Sequence, residues 1–159
     1  MAGAGVLAGA FAGVIAGGIG SRLAMRILAV VNDDKAGLVT ENGNIAGEIT
    51  AGGTIGLVIF GGVFPGLMGG LIYVAVRRWL PGSGLWKGLA FGVLLFLLFG
   101  AVVINSDNVD FALFGPAALS VALFALLFPL YGLLVSPLVE RLNRYIPPLF
   151  MNPVVTYAG

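Results

Sequence analysis

Residues 2–24 read AGAGVLAGAFAGVIAGGIGSRLA, and glycine returns at every fourth position, at Gly5, Gly9, Gly13 and Gly17. In an exposed helix each glycine costs about 1 kcal/mol relative to alanine, so this pattern is unfavourable in water. In a lipid bilayer no water competes for the backbone, and small residues allow two helices to approach closely. The stretch therefore predicts a membrane helix with a glycine face.

The composition of the whole chain also indicates a membrane protein. Of its 159 residues, 59% are hydrophobic and 9% are charged, and the mean hydropathy is +1.06. These values lie far from those of an average soluble domain. The length suits one membrane domain. The formal net charge of +1 offers no electrostatic basis for binding nucleic acid.

The sequence contains neither cysteine nor histidine. Disulfides and thiolate nucleophiles are therefore excluded, and the commonest metal and haem ligand is missing. We predict no metal site, no catalytic residue and no enzymatic activity. No resident cofactor is predicted either, although a bound lipid, quinone or pigment would suit the apolar helices.

Four apolar segments are long enough to cross a bilayer, whose core of about 30 Å needs roughly 20 helical residues. They lie at about 2–24, 54–76, 85–104 and 115–138. We predict an all-α membrane protein, a bundle of four transmembrane helices with glycine-zipper packing. Residues 1–140 form this four-span domain, and residues 141–159 form an interfacial C-terminal tail.

The basic residues beside the spans indicate the orientation. Four crossings place both termini on one side, together with Arg77, Arg78, Lys87, Arg141 and Arg144. This excess favours cytoplasmic termini in a bacterial plasma membrane. The first helix often dominates topology, however, and its own basic flank favours the reverse orientation.

The first loop is the longest, and its segment 38–50 centres on the pair Asn42-Gly43. Asn-Gly with β-branched residues around it is typical of a two-residue hairpin turn. A short surface hairpin is one interpretation of this segment. An irregular polar loop is the other, because two strands alone are marginally stable.

Glycines at helical spacing are the predicted helix-packing residues. They are Gly5, Gly9, Gly13, Gly17, Gly62, Gly66, Gly70, Gly84, Gly88 and Gly92. In one interpretation these stripes pack helices within a single chain. In the other, one stripe docks a neighbouring subunit.

Four arginines are candidate contacts for an anionic lipid or ligand, namely Arg22, Arg26, Arg77 and Arg78. Arg22 and Arg26 are one helical turn apart and share a helix face. The simpler interpretation is that these long side chains anchor the helix among lipid headgroups. Either role places them at the membrane surface.

Two prolines within the spans are predicted hinges. Pro65 lies in the second span and Pro129 in the fourth. Proline removes a backbone hydrogen bond and bends a helix. An ordinary kink without functional motion is the alternative.

Two segments carry a general resemblance to known proteins, GSRLAMR at 20–26 and RRWLPG at 77–82. With these segments and its four spans, the chain resembles the uncharacterised small four-span integral membrane proteins of bacteria. The resemblance covers the spans and implies no activity.

No Asp, Glu, Lys or Arg lies near the middle of a predicted span, which argues against a proton relay or an ion-coupled transporter. We predict a non-catalytic accessory or assembly subunit of a larger membrane complex, with membrane lipids and other integral membrane subunits as partners. The alternative is a homo-oligomeric channel or small-solute permeation protein, which should have a polar lining. A membrane enzyme acting on lipid headgroups through Arg22 and Arg26 ranks third.

Overall fold

The computed structural model describes residues 2–31, 51–103 and 117–145, which form four helices long and apolar enough to cross a membrane. They are α1 (Ala2–Val31), α2 (Ala51–Val76), α3 (Leu85–Val103) and α4 (Ala117–Tyr145). No strand occurs in these ranges. The prediction of an all-α protein with four membrane helices is confirmed. The hairpin predicted at 38–50 lies outside the described residues.

Two helices extend beyond the predicted spans. Helix α1 continues to Val31 instead of ending near residue 24, and α4 continues to Tyr145 instead of ending near residue 138. The charged residues that guided the prediction mark where hydrocarbon gives way to headgroups, but arginine and glutamate are good helix formers and do not end a helix. The predicted tail therefore begins as helix over 141–145, and residues 146–159 lie outside the described part.

Cross-helix contacts define the helix directions. Gly5 meets Gly70 and Gly13 meets Gly62, so α1 and α2 are antiparallel. The residue number rises on one helix as it falls on the other. The two helices are joined along their glycine-bearing faces.

Helix α4 is antiparallel to α3 and parallel to α2. Gly88 on α3 meets Gly132, while Gly92, one turn further along, meets the earlier Pro129. Tyr73 on α2 reaches Ser136 on α4. The bundle therefore has an up-down-up-down arrangement.

The core lies along α1, which packs against α2 and α4. A second stripe on α1, beside its glycines, is almost completely buried and consists of Ala4, Ala8, Ala12 and Ala16. The alanines from Ala8 onward join a cluster with Tyr73, Phe91, Tyr131, Val135 and Val139. The rings of Tyr73 and Phe91 meet edge to face, with centroids 5.1 Å apart, which is a favourable aromatic geometry. Small residues on α1 thus leave room for large ones on α2, α3 and α4.

Helices α1 and α2 each contain a π-helical segment, Val14–Ile19 and Leu57–Val63, and these two segments contact each other. Each π turn takes one residue more than an α turn. The spacing of the paired glycines therefore differs there. Gly13 meets Gly62, but Gly17, four residues later, meets Gly61, only one residue earlier. Pro65 lies inside the continuous helix α2, two residues after the π-helical segment ends, and its missing N–H removes one backbone hydrogen bond there.

Candidate functional site

The predicted packing glycines of α1 and α2 lie against one another. A Cβ added to Gly9 would stand 2.8 Å from the Gly70 Cα, and one added to Gly13 would stand 2.7 Å from the Gly66 Cα. The nearest atom in each case is a backbone carbonyl oxygen of the facing helix. Such close approach allows Cα–H···O contacts between the helices. The geometry matches packing within one chain, the first of the two interpretations.

Helices α3 and α4 approach in the same way. A Cβ on Gly88 would stand 2.5 Å from the Gly132 carbonyl oxygen, and one on Gly92 would stand 2.9 Å from the Pro129 nitrogen. Pro129, predicted as a hinge, therefore lies inside this close contact. Gly132 was not among the residues that the sequence singled out.

Gly84 does not fit the packing role predicted for it. It lies in the turn before α3 with φ of +55°, and an added Cβ would find no atom within 4 Å. Gly82 in the same turn has φ of +83°. These left-handed conformations are where glycine is favoured. Gly84 therefore belongs to the turn, although it stands four residues before Gly88, and the helix begins only at Leu85.

A buried hydrogen-bonded chain joins α2, α4 and this turn. Ser136 Oγ lies 2.8 Å from Tyr73 Oη and 3.1 Å from the Gly84 carbonyl oxygen. The carbonyl oxygen can only accept, so the Ser136 hydroxyl donates a hydrogen bond to the Gly84 carbonyl and accepts one from the Tyr73 hydroxyl. Both side chains are fully buried. The two hydroxyls thus connect the C-terminal half of α4 to α2 and to the α2–α3 turn.

A second buried tyrosine makes a separate connection between α2 and α4. Tyr131 Oη donates to the Gly66 carbonyl oxygen at 2.7 Å. The Tyr131 ring also lies against Gly69, where an added Cβ would stand 2.7 Å from the hydroxyl oxygen. Glycine at residue 69 therefore makes room for the tyrosine that holds α4 to α2.

Two of the candidate arginines lie at the α2–α3 turn, among aromatic residues. Arg77 forms the C-terminal cap of α2, and the Arg78 guanidinium carbon lies 5.2 Å from the centre of the Trp79 ring. Trp79 and Trp86 are 72% and 74% exposed. Exposed tryptophan beside basic residues is typical of the membrane–water interface.

The other two candidate arginines lie on α1, in the segment Gly20–Val31. Arg26 is exposed. The Nε atom of Arg22 is buried and has no hydrogen-bond partner in the described part of the chain. The structure does not bring this pair together with Arg77 and Arg78, because α1 and α2 are antiparallel and the pairs lie at opposite ends of the bundle.

The sequence alone did not identify the hydroxyl connections. Thr54 and Ser120 are the more obvious polar residues in the spans, whereas Ser136 is a lone serine in an apolar run. One available signal was that buried tyrosines need a hydrogen-bond partner. Among the described residues no group of three Asp or Glu side chains is placed to hold a metal ion.

No protein-family model, characterised protein or solved structure matches this chain. The resemblance to small four-span bacterial membrane proteins therefore stays a prediction.

Removing either hydroxyl of the pair Ser136 and Tyr73 should lower stability, but by different amounts. Ser136→Ala leaves the buried Tyr73 hydroxyl without a partner and should lower the free energy of unfolding by about 1–2 kcal/mol. Tyr73→Phe should cost less, because Ser136 still donates to Gly84. The double variant should be more stable than Ser136→Ala alone. Unfolding titrations of the four proteins in one detergent measure this cycle, and equal, additive losses would contradict the shared hydrogen bond.

Proposed function

We propose that the protein is a non-catalytic accessory or assembly subunit of a larger membrane protein complex. Support comes from how the bundle uses its small residues. The glycine faces of α1 and α2 are occupied by each other, and Gly88 and Gly132 join α3 to α4. A partner therefore meets other faces of the bundle.

The outer face of α2 is the best candidate for that contact. Phe60 and Phe64 stack with ring centroids 5.8 Å apart, and they are 74% and 57% exposed. Met68, one turn further along, is 62% exposed. Large side chains in a row on one helix form a ridge that can fit between the side chains of another helix.

The observation that carries the proposal is the open end of this same face. Gly52 and Gly56 continue the row at helical spacing, and an added Cβ at either position meets no described atom within 4 Å. Glycine in a membrane helix is favourable chiefly where another helix packs closely. A transmembrane helix of a partner protein is the occupant that would use both the small residues and the ridge.

The test replaces Gly56 by leucine and follows native complexes extracted in mild detergent. We expect the wild-type chain to comigrate with a larger complex and Gly56→Leu to run alone, because leucine fills the space that the partner helix needs. Ala75→Leu is the matched control, an exposed position on α2 outside this row. It should leave the complex intact.

Photo-crosslinking from position 60 or 64 identifies the contact directly. A photoreactive phenylalanine there should give one defined crosslinked subunit, while the same group at Leu98 on the outer face of α3 should label lipid. A pure homo-oligomer that conducts ions in liposomes would contradict the proposal and favour the permeation protein.

We also propose that the chain lies in a bacterial plasma membrane with cytoplasmic termini. The supporting feature is the basic α2–α3 turn, with Arg77, Arg78 and Lys87, which shares a side with the termini in a four-span topology.

A further inference from the structure

An open apolar groove with a volume of about 620 Å³ runs along the outer side of α3. The α2–α3 turn contributes Leu80 and Pro81 to one end of it. Along α3 the lining continues through Trp86, Ala90, Val93 and Leu97. Every one of these side chains is hydrophobic, so the groove suits a hydrocarbon ligand.

The length of the groove matches one leaflet of a bilayer. From Trp86 to Leu97 the helix rises about 16 Å at 1.5 Å per residue. Half of a bilayer core of about 30 Å is close to that value. Trp86 is 74% exposed, as is typical of an interfacial tryptophan, whereas Leu97 lies towards the membrane centre. The groove therefore follows the path of a single acyl chain.

Two basic residues are close in sequence to the residues that line the interfacial end of the groove. Arg78 precedes the turn and Lys87 follows Trp86 directly. Neither side chain forms an ion pair in the described part of the chain, and the Arg78 guanidinium is held over the Trp79 ring at 5.2 Å. Two cations at headgroup depth that form no ion pair with a described residue favour a phosphate group.

We propose that this groove binds one acyl chain of an anionic phospholipid, with the phosphate at Arg78 and Lys87. The apolar lining suits an acyl chain, and the length of the groove suits a lipid in one leaflet. The two cations suit a headgroup of net negative charge. The site uses α3 and the turn, not the α2 face of the proposed subunit contact. Its test is therefore independent of that function.

The chain contains two tryptophans, so Trp79→Phe leaves Trp86 as the only indole and as a reporter inside the groove. The full chain is placed in phosphatidylcholine vesicles that contain rising fractions of brominated phosphatidylglycerol or brominated phosphatidylcholine. Bromine on the acyl chain quenches a tryptophan that it touches. We expect the anionic lipid to bind about ten-fold more tightly than the zwitterionic one.

Variants separate the headgroup from the chain contact. When both cations are replaced, as Arg78→Gln with Lys87→Gln, the brominated anionic and zwitterionic lipids should quench Trp86 equally. Ala90→Phe fills the groove and should also remove the preference for the anionic lipid. Ala101→Phe, exposed on α3 outside the groove, is the matched control and should retain it. Circular dichroism checks folding, and the charge variant carries the test if Ala90→Phe does not fold.

Equal quenching of the parent protein by both lipids would overturn the proposal. The proposal would also be overturned if neither lipid quenched Trp86, because a protein segment and not a lipid would then occupy the groove.

Discussion

Replacing Gly66 by alanine should force α1 and α2 apart and lower the free energy of unfolding by about 3 kcal/mol. The new Cβ would stand 2.8 Å from the Gly13 Cα and nearer still to the Gly9 carbonyl oxygen. Both are backbone atoms, which cannot rotate out of the way. The Tyr131 hydroxyl also bonds to the Gly66 carbonyl, so the displacement extends to α4. Unfolding titrations in mixed micelles measure the loss.

Gly56→Ala is the matched control for this variant. It lies on the same helix, but an added Cβ meets no described atom within 4 Å. Since alanine is the better helix former by up to about 1 kcal/mol, stability should stay the same or rise. If both variants lost a similar amount of unfolding free energy, the effect of Gly66→Ala would not come from the contact between α1 and α2.

Gly132→Ala should separate α3 from α4 at a comparable cost of about 3 kcal/mol. The added Cβ would stand 2.7 Å from the Gly92 nitrogen, with the Gly88 carbonyl oxygen closer still. The neighbouring Pro129 is rigid and fills the next turn of the interface, which limits any local adjustment. Unfolding titrations again report the loss.

Gly100→Ala on α3 tests whether the backbone contact is the cause. Its nearest neighbour would be the Phe96 ring at 2.9 Å, a side chain that can turn aside. We expect a loss of less than about 1 kcal/mol. If this variant destabilised the bundle as much as Gly132→Ala, crowding in general and not the α3–α4 backbone approach would explain both.

The sequence predicted the packing glycines of α1 and α2, although not which helices they join, because periodicity is a property of each helix by itself. Gly9 and Gly66 each belong to a visible row of glycines, and the structure brings the two rows together. Gly132 stands alone among leucines, so its role depends on which helix lies opposite. Which helix lies opposite is determined by the tertiary fold, and no local sequence pattern indicates it.

The same limit applies to the polar contacts. Ser136 and Tyr73 are 63 residues apart in sequence. Each looks like an isolated polar residue in an apolar span, and only their meeting in the bundle shows why both are accommodated. Ser120 is another polar residue in an apolar span, and it is fully buried without a hydrogen-bond partner in the described part of the chain.

Two helices are longer than the predicted spans for a different reason. Charge marks the depth at which a helix leaves hydrocarbon, and backbone hydrogen bonding continues past that depth. Arg22 is followed by about two further turns of α1, which end at Val31. A sequence therefore predicts the membrane-embedded part of such a helix better than its length.

Oxidation of an engineered cysteine pair tests most directly whether α1 and α2 of one chain pack through their glycine faces. An added Cβ on Gly18 stands 3.6 Å from the Val58 Cβ, within the range of natural disulfides. The sequence has no cysteine of its own, so Gly18→Cys with Val58→Cys gives one pair. In membranes this pair should form a disulfide within a single chain, whereas Gly18→Cys with the outward Ile59→Cys should not. A covalent dimer from the first pair, or no bond at all, would contradict the packing described here.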